Sequence, residues 1–257
     1  MPTIAVINET EELRDNDLTV WVNAIQHQLL EDVAPFWREA GEIILVAIPR
    51  GQQPPHATWQ VIVTENTDKA EDLGYHDLTE FALPIGKVFT ETTRNDGQTV
   101  SRVLSHEILE MVVDPFISRK QTIEGTTYLV EVGDPVHLDR MGYLKFDVLV
   151  SNFVTPDYYR YTAGSRYDFR ELLQQPCPSL LSGGALCIVQ GENDLQLRVA
   201  PDTTSAEFAA LRIHAGSRRH RWQKGQRAWR NSDASRLRAV SRPVVFTPRI
   251  ADAGRSG

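Results

Sequence analysis

Hydrophobic and polar positions alternate in blocks along the chain, and each block predicts an element. "TIAVINE" (3–9) is a short β-rich run. Asp15 or Asn16 can cap a helix from about Leu18 to Arg38, in which Val22, Ile25, Leu29, Leu30 and Val33 recur at helical spacing. Pro35 ends or kinks it near its last turn. "EIILVAI" (42–48) is continuously apolar and predicts a buried strand, and "TWQVIVTE" (58–65) predicts the next. Residues 67–84 read as irregular, with Gly74 and Pro84 as breakers. "IGKVFTET" (85–92) predicts a further strand and "TRNDGQ" (93–98) a turn. A helix then runs from about Gln98 to Asp114, because Pro115 disfavours helical geometry at the residue before it.

Beyond that helix, "TTYLVEVGDPV" (126–136) predicts a strand running into a turn, and "YLKFDVLVSNFV" (143–154) another strand. Residues 155–200 are rich in Pro, Gly and Tyr and read as loop-like. From Ser205 there is one short amphipathic stretch, "SAEFAALRIHA", followed by a polar tail of weak periodicity that reads as disordered. The order strand, helix, three strands, helix describes an α/β (α+β) domain, a mixed twisted sheet with two helices packed on it. The predicted organisation is a domain over 1–200 and a basic, flexible tail over 201–257.

The second helix carries the chemistry. "SRVLSHEILEMVVDPF" (101–116) has three carboxylates and a histidine, with no Lys or Arg between Arg102 and Arg119. At about 100° per residue, Glu110 falls about 40° from His106, Asp114 about 80° and Glu107 about 100°. Leu104, Ile108, Met111 and Val112 occupy the opposite arc. His106 and Glu110 are therefore neighbours one turn apart. Like charges at these spacings repel, and a solvated helix face usually mixes signs. The pattern fits either an acidic surface stripe paired to a distant arginine or a cation site.

"SHEILE" resembles the zincin metallopeptidase helix H-E-x-x-H, with Glu110 in place of the second histidine. Residues 3–156, about 60% of the chain, also resemble a group of uncharacterised bacterial proteins. The segments that carry this are "LLEDVAPFW", "LGYHD", "KVF", "SHEILEMVVDP", "EVGDPV" and "VSNFVTP". The resemblance implies a zincin-like fold with His106 and Glu110 as metal ligands and Glu107 as general base. Carboxylate oxygen is an acceptable zinc ligand. "EVGDPV" offers a third ligand about 20 residues later: Asp134 in first place, Glu131 in second. Either can instead orient His106 from behind, and "EVGDP" also reads as an ordinary Asp-Pro turn. Asp114 lies about 12 Å along the axis from His106 and suits a cap around the Pro115 turn. His76 and Asp77 can line the cleft.

Such a site implies a metal-dependent hydrolase, a zinc metallopeptidase acting on a peptide or protein substrate. An oxygen-rich ligand set also suits Ca²⁺ or Mn²⁺, which opens the alternative of a non-catalytic, metal-stabilised interaction protein.

Charge sharpens the division of the chain. The tail 201–257 holds 12 basic and 4 acidic residues, so of the 27 basic and 34 acidic residues overall, 15 and 30 remain in the body, a net of −15. An acidic body suits cations and not general nucleic-acid binding. "GSRRHRWQKGQRAWR" (216–230) interleaves Arg with Trp222 and Trp229 and suits a nucleic acid or an acidic partner. No apolar run reaches the roughly 18 residues of a membrane span. The start lacks the marks of a secretory signal, and the expected location is cytoplasmic. Cys177 and Cys187 are expected as free thiols.

Overall fold

A computed structural model describes residues 2–55, 59–66, 73–160, 165–191 and 194–200. Its first layer is a five-stranded sheet in the order β2–β1–β3–β5–β4. β1 (Thr3–Asn8), β2 (Ile44–Ile48), β3 (Trp59–Thr64) and β5 (Pro84–Phe89) are parallel, and β4 (Gly74–Leu78) runs antiparallel to β5 along one edge. Successive side chains of a strand point to opposite faces. In β1, Ile4 and Val6 enter the main core, while Ala5 and Ile7 pack with Ile48 and Ile62 on the other face.

Two helices fill the main core: α1 (Asp15–His27), and α3 (Val100–Val113), which follows the short α2 (Thr90–Asn95). An antiparallel sheet, β11–β10–β7–β6, is built from β6 (Lys120–Ile123), β7 (Thr126–Leu129), β10 (Ala185–Gln190) and β11 (Asp194–Val199). A hairpin of β8 (Tyr143–Lys145) and β9 (Val148–Val150) packs on α1 and α3. The mixed α/β class and the two packed helices match the expectation. No helix among the described residues is long and apolar enough to cross a membrane. Cys177 and Cys187 are free and buried.

Several boundaries differ, each for a local reason. The first helix does not run to Arg38. It passes at His27 into a π-helical turn, Gln28–Val33, where the Ala34 amide donates to the Leu29 carbonyl at 2.9 Å. Pro35 has no N–H for the next helical bond. Residues 67–84 contain a strand after all. Gly74 and Pro84 start β4 and β5 rather than breaking them, and proline is tolerated as the first residue of a strand. The strand expected to reach Thr92 ends at Phe89, and α2 occupies much of the expected turn. Residues 143–154 are a tight hairpin and not one strand. Phe146 and Asp147 at its tip have φ of 50° and 62°, the paired left-handed geometry of a two-residue turn without its usual Asn-Gly signature. β7 stops at Leu129, before Glu131, and Asp134–Val136 is a 3₁₀ turn. The stretch expected to be loop-like carries the β10–β11 hairpin. The basic tail 201–257, with its 205–215 and 216–230 segments, lies outside the described residues.

A buried polar network fixes α3 against its neighbours. Gln28, at the start of the π-helical turn, is fully buried. Its Nε2 donates to the Ser151 carbonyl at 2.8 Å and to Tyr143 Oη at 3.0 Å, and its Oε1 accepts from Ser105 Oγ at 2.7 Å. The Ser151 amide returns a bond to Ser105 Oγ at 3.1 Å. Ser105 immediately precedes His106, so this network sets the rotation of α3. Gln28→Ala strips partners from these interior groups. It should lower unfolding free energy by about 3 kcal/mol in urea titration. A change under about 0.5 kcal/mol would show that the network does not hold the helix.

Candidate metal centre

All of α3 is buried, including His106, Glu107 and Glu110. An acidic stripe facing solvent is therefore excluded: the polar side of the helix points into the molecule. It faces two segments. One is edge strand β4, which carries His76. The other is the loop after β7, which carries Glu131 and Asp134. None of these six side chains is more than 4% exposed.

The distances have a pattern. His106 Nε2 lies 3.3 Å from Glu110 Oε1 and 3.6 Å from Asp134 Oδ1. His76 Nδ1 lies 3.6 Å from Glu110 Oε2 and 3.8 Å from Glu107 Oε2. These separations exceed the roughly 2.7–3.2 Å of N–H···O hydrogen bonds. Two ligands at about 2.0–2.2 Å from a shared tetrahedral ion stand about 3.3–3.6 Å apart. The Glu110 and Asp134 contacts fall in that window and the Glu107 contact falls outside it. Among the described residues, two groups bring their ligand atoms within 4.8 Å of one another: His106–Glu110–Asp134 and His76–Glu110–Glu131. The donor set, imidazole nitrogen plus carboxylate oxygen, fits a divalent cation.

His106, Glu110 and Asp134 thus converge as anticipated, with Glu107 beside them. Glu131 also belongs to the cluster, but it groups with His76. Asp134 faces Nε2 of His106, so it does not orient that ring from behind. Nδ1 of His106 has no hydrogen-bond partner among the described residues and faces Gly133. A Cβ on Gly133 would stand 2.3 Å from that nitrogen. Gly133 has an ordinary φ of −87°, so the requirement for glycine is steric room for the ring and not backbone freedom. On β4, a Cβ at Gly74 would likewise meet Glu107 Oε1 at 2.9 Å.

The surroundings limit the roles of nearby groups. Asp114 Oδ1 and Oδ2 accept the Ser118 and Arg119 amides at 3.0 and 2.9 Å, the capping role expected of it. Burial pushes its carboxyl up to about 6, the Glu131 charge adds to this, and the two amides oppose it. Arg102 is buried, and its guanidinium is engaged by Asp139 at 3.0 Å and Gln98 at 3.2 Å. Two tyrosines are committed elsewhere: Tyr143 Oη donates to Asp32 at 2.9 Å and Tyr158 Oη to the Ser179 carbonyl at 2.6 Å.

His137 escaped the sequence reading. Its ring sits edge-on to His106 with centroids 6.4 Å apart, and burial, reinforced by the Arg102 charge, pushes its pKa down to about 3. A neutral His137 adds no positive charge to the centre. Its lone-histidine context in "PVHLD" carries no periodic or spacing signal. Tyr159 was also missed; its Oη donates to the Glu131 carbonyl at 3.2 Å and holds that loop.

Comparison with protein-family models, with curated proteins and with solved structures gives no match.

The His106–Gly133 contact is directly testable. Gly133→Ala should displace the ring and weaken divalent-cation binding on the order of tenfold or more, read by zinc titration against a competing chelator dye. Unchanged affinity would mean that the ring position is not set by this contact.

Proposed function

We propose that this protein is a metal-dependent hydrolase, a zinc metallopeptidase with a divergent HExxE helix on a zincin-like fold. The observation that carries the reading is the placing of His106 Nε2 at 3.3 Å from a Glu110 oxygen and 3.6 Å from an Asp134 oxygen, with Glu107 next to His106 on the same helix. The parallel sheet with an antiparallel edge strand beside the helix supports the zincin-like arrangement.

When bound, the cation supplies Lewis acidity, lowering the pKa of a water and polarising the scissile carbonyl. His106, Glu110 and Asp134 hold it. Glu107 follows His106 directly, and its carboxylate would accept the proton of the attacking water and pass it to the leaving amine. His76, on the edge strand, has its Nδ1 3.8 Å from that carboxylate. Two anionic ligands with one imidazole make a less electrophilic ion than two imidazoles would, so turnover should be slow.

Burial favours a second reading. With no centre residue more than 4% exposed, the ion also suits a non-catalytic role, pinning the loop after β7 to α3 and β4 and stabilising an interaction protein. The oxygen-rich donor set then extends the choice to Ca²⁺ or Mn²⁺.

Elemental analysis and a peptide-library assay separate these readings. Parent protein should carry zinc, and His106→Ala should lose it. Glu107→Gln should keep the metal while hydrolysis falls about 10²–10⁴-fold. Hydrolysis unchanged in Glu107→Gln would remove Glu107 as the base. No hydrolysis in a zinc-loaded parent, with unfolding on chelation, would select the second reading.

A further inference from the structure

We propose that the centre holds two divalent cations rather than one, with Glu110 bridging them and His76 and Glu131 completing the second position. This rests on the metal-binding reading above and extends it.

The first support is the orientation of Glu110. Its two oxygens serve different imidazoles: Oε1 lies 3.3 Å from His106 Nε2, and Oε2 lies 3.6 Å from His76 Nδ1. A carboxylate that only completed one ion's shell would have no reason to present its second oxygen to another imidazole at ligand–ligand spacing. Paired ions in hydrolytic sites sit about 3.5–4 Å apart, a span that one carboxylate bridges with an oxygen on each.

The second support is independent. Glu131 is 4% exposed, groups with His76 and Glu110 within 4.8 Å, and has a carboxylate oxygen, Oε2, with no hydrogen-bond partner among the described residues. A buried carboxylate oxygen left in this state is costly unless a cation meets it. A single ion on His106, Glu110 and Asp134 leaves Glu131 outside its shell.

The second ion would be held by His76 of β4 together with Glu110 and Glu131. Its chemistry is that of a hard or borderline divalent cation with one imidazole and two carboxylates, open to Zn²⁺ or Mn²⁺.

The test is metal stoichiometry on the full chain. Protein stripped with chelator and titrated with Zn²⁺ should take up two equivalents. Glu131→Gln, which preserves shape, and His76→Gln should each fall to one while retaining the ion at His106. Reconstitution of the parent with Mn²⁺ should give the electron paramagnetic resonance signal of an exchange-coupled pair, and this arm needs no variant to fold. One equivalent in the parent, an isolated-ion Mn²⁺ signal, or two equivalents persisting in Glu131→Gln would overturn the second ion. A single equivalent in the parent that is lost altogether in His106→Ala would overturn the second ion while leaving the proposed function standing. No bound ion at all would overturn both.

Discussion

The structure turns on the burial of carboxylates around two imidazoles. Removing an ionised carboxylate from water costs several kcal/mol even after relaxation, and the cost compounds when like charges share a site. Glu107, Glu110, Glu131 and Asp134 are all at least 96% buried, from 3% to 4% exposed. An arrangement of this kind is stable when positive charge is concentrated between the acids or when they share protons. Two imidazoles at 3.3–3.8 Å supply part of it when protonated, and a divalent cation supplies more from a smaller volume. The need for that charge explains why ligand geometry, glycine placement and loop anchoring all converge on the same helix.

The rest of the fold holds this cluster in register. The parallel strands give a rigid floor, and β4, antiparallel at its edge, brings His76 beside α3. The π-helical turn after α1 aims Gln28 at Ser105, and the resulting interior bonds lock the helix one residue before His106. From the other side, the Tyr159 hydroxyl holds the Glu131 carbonyl, and Gly133 leaves room for the His106 ring. These contacts come from segments distant in sequence, so the centre forms only when both layers are assembled. A cation bound there, as proposed, would link them, and its binding energy would become folding energy.

Much of the cluster was legible because helical periodicity is a strong signal. The positions of His106, Glu107 and Glu110 on one face follow from spacing alone, as does the boundary at Pro115. Asp134 was reachable because an Asp-Pro turn after a strand can return the chain to the helix. What spacing does not show is which face of a helix is solvated. The stripe looked equally like surface, and only the packing of β4 and the post-β7 loop over it makes it interior. His76 was visible as a residue but sat in a stretch that read as broken, because Gly74 and Pro84 mark strand starts as readily as strand ends. The β10–β11 hairpin and the tip at Phe146–Asp147 were hidden for a similar reason. Short strands with unusual turn residues carry little local signal, and their pairing is decided by tertiary contacts. His137 and Tyr159 reach the site only through the folded loop, so no pattern along the chain points to them.

The most direct test is anomalous diffraction from crystals of the protein purified without chelator, recorded across the absorption edge of the bound metal. The account predicts an anomalous peak about 2.0–2.2 Å from His106 Nε2, a Glu110 oxygen and an Asp134 oxygen. The same carboxylates held together by water and shared protons, with no anomalous scatterer between them, would contradict it.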